Sequence, residues 1–149
     1  MKKLLILICF MLFFSLNSFS NILTSEDVEI IKMGIGSATF ENGKSLPPGQ
    51  ILMTKKQRQE QINKGFTELY SAIFNFETKE GREDFILESQ AFYMNYMLFK
   101  EYEVAFYDNK NGLVSIGFTD YNKIYSLLFK EQGQNQVIIM FFESNYIRN

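Results

Sequence analysis

Histidine and tryptophan are missing from the sequence altogether, and cysteine occurs once, at Cys9. Without histidine, neither a Ser–His–Asp triad nor a Cys–His pair can be assembled. Imidazole-bound zinc and the histidine ligands of haem are excluded for the same reason. Cys9 sits inside an N-terminal apolar run, Leu4 to Phe14, so the chain beyond it also lacks thiol redox chemistry and disulfides. No G-x-x-x-x-G-K-[ST] loop is present. The nearest glycine-rich stretch, MGIGSATF, has G-x-G but no third glycine and no strand before it, and reads as a plain turn. No cofactor is expected from these residues.

The first twenty residues have three parts. Lys2 and Lys3 form a positive start, the apolar run follows, and Ser15 to Ser20 (SLNSFS) is small and polar. That is the layout of a secretory signal peptide, with cleavage expected between Ser20 and Asn21. The run is well short of the roughly 20 apolar residues a spanning helix needs. Cys9 lies mid-run behind Ile6, Leu7 and Ile8, the wrong place and the wrong neighbours for lipid attachment. Cleavage would leave 129 residues with 13 Lys and Arg against 17 Asp and Glu, a net charge of −4. Such a balance argues against nucleic acid as a partner. With the single cysteine removed, an exported chain must be held by its core alone. The abundance of Lys, Asn, Ile, Phe and Tyr fits AT-rich codons, and a bacterial protein of the periplasm or extracellular space is the expected setting. No stable membrane span is expected after signal removal.

Residues 21–149 read as one small α+β domain. Segment 21–50 is expected to be irregular, with a short helix over 24–33 that Thr24 or Ser25 would cap and Gly34 and Gly36 would end. Asn42-Gly43 and Pro47-Pro48-Gly49 mark a loop. Residues 54–100 form the helical part. In 54–76, Ile62, Phe66, Leu69, Tyr70 and Ile73 recur as one stripe of an amphipathic helix, opened by a Thr54–Gln57 capping box. A charged connector, 77–84, leads to a second helix over 85–99, where strand-type alternation is the competing pattern. From 102 to 143 the period changes to two. Val104 and Phe106 face one way, as do Val114, Ile116 and Phe118, about a DNKNG turn. A second hairpin follows around EQGQN, with a helix over 120–132 as the weaker alternative. Two or three helices on one face of a roughly four-stranded antiparallel meander is the expected architecture.

What chemistry remains is carried by carboxylates. Glu77, Glu80, Glu83, Asp84 and Glu88 cluster, but a hydrolase needs two carboxylates at a set separation, one in an apolar pocket, and a charged connector is the opposite environment. Asp108-Asn109-Lys110-Asn111-Gly112 is not a calcium loop, because Lys110 lies within it and no glutamate follows at the right distance. Lys55, Lys56 and Arg58 crowd the first turn of a predicted helix, where positive charge is disfavoured, and are a candidate anion site. Tyr93, Tyr96, Tyr102 and Tyr107 fall close together and are candidate interaction aromatics, with core packing as the plainer account. An outer-membrane barrel fails on strand number. The expectation is an exported non-catalytic binding or interaction module for a protein or small apolar ligand. The alternative is a small carboxylate-dependent hydrolase acting on cell-envelope polymer.

Overall fold

A computed structural model describes residues 22–42, 44–45 and 54–146. The expected signal segment with Ser20 and Asn21, the expected loop at Pro47-Pro48-Gly49 and residues 147–149 lie outside the described residues. The architecture is α+β, three helices with an antiparallel sheet.

Helix α1 (Ser25–Asn42) is capped by Thr24, whose hydroxyl accepts from the Asp27 amide at 3.2 Å. The expected stop at Gly34 and Gly36 does not occur. Gly34 lies against the ring of Phe92, where an added Cβ would stand 2.1 Å from the ring. Its bareness admits the aromatic ring, and that packing outweighs the roughly 1 kcal/mol helix cost of glycine. The two-residue strand β1 (Lys44–Ser45) follows within the segment expected to be irregular.

Helix α2 (Lys55–Asn63) opens with the expected capping box: Thr54 N–H donates to Gln57 Oε1 at 2.8 Å, and Gln57 N–H to the Thr54 hydroxyl. The single helix expected over 54–76 is overturned beyond this point. Gly65 takes φ +84°, which ends the helix, and Phe66–Asn75 is strand β2. Tyr70, Ala72 and Phe74 then alternate onto one face, opposite Phe141, Ile139 and Val137 of the last strand. Pairing with a central strand decides the conformation of a segment whose stripe fitted both periods.

Helix α3 (Lys79–Phe99) contains the helix expected at 85–99 and takes 79–84 from the supposed connector. The Thr78 hydroxyl accepts from Gly81 N–H at 3.0 Å and fixes the earlier start. Four strands complete the chain: β3 (Glu103–Lys110), β4 (Leu113–Thr119), β5 (Lys123–Gln132) and β6 (Gln136–Asn145). They form the expected meander, with Asn111 and Gly112 at positive φ in the first turn. The sheet order β1-β2-β6-β5-β4-β3 places β2 beyond β6, so the meander is not the whole sheet.

One face of the sheet carries α1 and α3. Phe118 and Phe141 meet the edge of the Tyr93 ring, Phe74 meets Phe85, and Ile31 and Ile35 of α1 are fully buried in the same core. The buried Arg82 ties the start of α3 to the β5–β6 turn, donating to the carbonyls of Gly133 and Gln134 at 3.1 and 2.7 Å and pairing with Glu131. Helix α2 buries no residue and is joined to the sheet by Arg58 and Glu68, 3.3 Å apart. Glu68 pairs with Phe142 and so belongs to the opposite face, which corrects the placing of all helices on one side. Among the described residues no helix is long and apolar enough to cross a membrane.

Candidate functional site

The four tyrosines singled out by sequence do not share a surface. Tyr93 is fully buried, its hydroxyl donating to the Tyr125 carbonyl at 2.9 Å, and burial pushes its pKa well up. Tyr102 is buried edge-on to Tyr125, with its pKa also raised by burial. Tyr96 donates to Asp27 at 2.6 Å and joins α3 to α1. Only Tyr107, on β3, is more than half exposed, and its hydroxyl reaches Gln90 at 3.4 Å. The reason is positional: Tyr93 faces the sheet from α3, and Tyr102 follows the helix end back into the core.

The three basic residues of α2 do not converge either. Lys55 and Lys56 are exposed, whereas Arg58 is turned to Glu68 on the sheet. Thr54 already accepts the Gln57 amide at that helix end. The acidic cluster is solvated along the outside of α3 and its approach, with Glu77, Glu80, Glu83, Asp84 and Glu88 all exposed.

Asp27 is the deeply buried carboxylate among the described residues, 4% exposed. Burial alone would raise its pKa, but hydrogen bonds from Tyr96 and from both the amide and hydroxyl of Thr24, with Lys100 Nζ at 3.0 Å, hold it at about 2. A carboxyl kept ionised in this way is unsuited to general acid catalysis, which needs a raised pKa. Its partner Tyr96 is pushed up to about 12, first by burial and then by the hydrogen bond to Asp27.

The face of the sheet away from α1 and α3 offers a different arrangement. Cross-strand partners share a face, so Ser144, Ile124 and Phe66 stand together, as do Phe142, Ser126, Gly117 and Phe106. The sequence reading placed Phe106 with Val104, but a bulge between them puts Val104 opposite Phe118 and turns Phe106 to the other face. Ser144 and Ser126 are small, and they leave a trough across β6 and β5. Phe106 leans over Gly117, where an added Cβ would come within 2.2 Å of its ring. On the opposite side Phe66 packs edge-on against Phe142, with centroids 6.3 Å apart. The result is a cleft of about 470 Å3, with Phe66, Phe106 and Ile124 as its apolar lining. Ser126, Ser144 and Asn145 add polar groups, and Lys64 and Gly65 close the end below α2.

Phe66 and Phe106 remain more than a third exposed, although both are large and apolar. The signal that would have found the site is the opposite parity of each strand: serines and a glycine at positions flanked by aromatic residues. The expected alternation followed the buried parity except at Phe106, which the bulge turns outward. Strand β3 is the outer edge of the sheet and every one of its residues is exposed. It carries the bulge and the charges of Glu103, Asp108 and Lys110, features that discourage edge-to-edge pairing. The chain matches no family model, and neither a curated protein nor a solved structure matches it.

Proposed function

We propose that this chain is an exported, non-catalytic binding module that holds a small apolar ligand in the cleft between Phe66 and Phe106. The observation that carries the reading is the trough over Ser126 and Ser144, walled by two partly exposed phenylalanines. Its volume lies in the range of ligand sites, and its lining combines apolar walls with a few polar groups. Export rests on the Lys2-Lys3 start, the apolar run and cleavage between Ser20 and Asn21, which would place the module in a periplasm or outside a cell. No specific observation favours the hydrolase alternative, because the buried carboxylate of Asp27 is committed to a structural network.

The test is fluorescence titration with N-phenyl-1-naphthylamine, a neutral apolar probe. Saturable enhancement is expected, with Phe106→Ala weakening binding about tenfold through lost apolar contact. Ser144→Leu, which fills the trough, should abolish it while the melting temperature stays within a few degrees. Equal titration curves for all three proteins would sink the reading.

A further inference from the structure

We infer that the ligand of this cleft is a monoanionic amphiphile, specifically a free fatty carboxylate whose head meets Lys64. This rests on the proposed binding function and adds the chemistry of one end of the ligand. Among the described residues Lys64 is the charged group lining the cleft, with no carboxylate beside it in the lining. Lys64 follows the last residue of α2 directly, and Gly65 at φ +84° turns the chain sharply into β2. That turn sets the lysine beside the same strand end as Phe66, Ser144 and Asn145.

The site is therefore divided by chemistry. One end has the cation of Lys64, with Ser144 and Asn145 lining the same cleft. The other is bounded by Phe106 and floored by Ser126, a residue only 8% exposed. An ammonium facing an apolar trough selects against a cationic head. A single positive charge balances one negative charge, so a monoanion leaves less uncompensated charge beside the phenylalanines than a dianionic phosphate would. A carboxylate also accepts hydrogen bonds from Lys64 and Ser144 more strongly than an alkyl alcohol does. The chain of the amphiphile then runs along the trough toward Phe106, with its methylenes against the rings.

The experiment uses the chain beginning at Asn21 and displacement of N-phenyl-1-naphthylamine by dodecanoate, 1-dodecanol and dodecyltrimethylammonium. Dodecanoate is expected to compete best, and shortening it to decanoate should weaken competition by about an order of magnitude, at roughly fourfold per methylene. Lys64→Gln should weaken dodecanoate about fivefold, a clearly larger loss than it causes for dodecanol or the neutral probe. Raising salt from low to high concentration should weaken dodecanoate alone. If dodecanol competes as well as dodecanoate and Lys64→Gln changes neither, the head-group inference is overturned while apolar binding stands. Displacement by dodecyltrimethylammonium in preference to dodecanoate overturns it equally. Failure of the probe to bind any form removes the cleft as a ligand site, and this inference with it.

Discussion

Asp27 illustrates how one side chain serves several elements. It accepts from Thr24 at the start of its own helix, from Tyr96 on α3, and from Lys100 just beyond the end of α3. Helix–helix packing between α1 and α3 is thereby locked at the point where the core begins. Folding lowers the carboxyl pKa from 3.8 to about 2, so its contribution is complete above about pH 4 and is lost as pH falls toward 2. The network is worth about 2 kcal/mol by that linkage. Asp27→Asn should therefore lower stability by about 2 kcal/mol at pH 7, since Lys100 loses its counter-charge and the amide cannot replace both acceptor oxygens. Thermal melts at pH 7, 4, 3 and 2 should show the gap between wild type and variant closing through the two lowest values. A gap that stays constant down to pH 2 would show that the carboxylate is not held as the geometry requires.

At the scale of elements, glycine has opposite meanings within a few residues. Gly34 faces the Phe92 ring with no room for a Cβ, whereas at Gly36 nothing beyond the helix's own backbone and chain neighbours lies within 4 Å of where a Cβ would stand. Gly36→Ala should stabilise the protein by up to about 1 kcal/mol through helix propensity. Gly34→Ala should destabilise it by about 1–3 kcal/mol through overpacking against Phe92, despite the same propensity gain. Urea unfolding of the two variants checks this, and a stabilising Gly34→Ala would contradict the contact. The same contrast explains what the sequence made legible. The hairpins about Asn111-Gly112 and Gly133 were readable because turn residues and alternation agree. The capping box at Thr54 was readable because it is local. The strand Phe66–Asn75 was not, because Ile62, Phe66, Leu69, Tyr70 and Ile73 satisfy a helical stripe, and only β6, about seventy residues away, selects the extended form. The cleft was missed for a related reason. Its walls come from β2 and β3 and its floor from β5 and β6, and the bulge that turns Phe106 outward leaves no local signature.

For the whole molecule, stability has to come from burial, since the chain beyond Cys9 has no cysteine to crosslink. The core is aromatic-rich, with Phe85, Tyr93, Tyr102, Phe118, Tyr125, Phe129 and Phe141 among its largest fully buried side chains. Among the described residues this core begins at Leu23, which is 7% exposed and whose amide donates to the Tyr125 hydroxyl at 3.3 Å. The proposed cleavage between Ser20 and Asn21 thus leaves two residues, Asn21 and Ile22, before the first core side chain among the described residues. Two truncations separate a removable leader from a structural one. A chain beginning at Asn21 should melt as a single cooperative transition with its full helix and strand content. A chain beginning at Thr24 lacks the Leu23 side chain and leaves the Tyr125 hydroxyl without its amide donor. Burying a leucine contributes about 1.5–3 kcal/mol, so this chain should lose an amount of that order, or roughly 5–15 °C in melting temperature. On the export proposal, mass spectrometry of the protein recovered from outside the cytoplasm should find Asn21 at its N-terminus. If the chain beginning at Asn21 were already as unstable as the shorter one, the first twenty residues would be part of the folded domain and the export reading would fail with them.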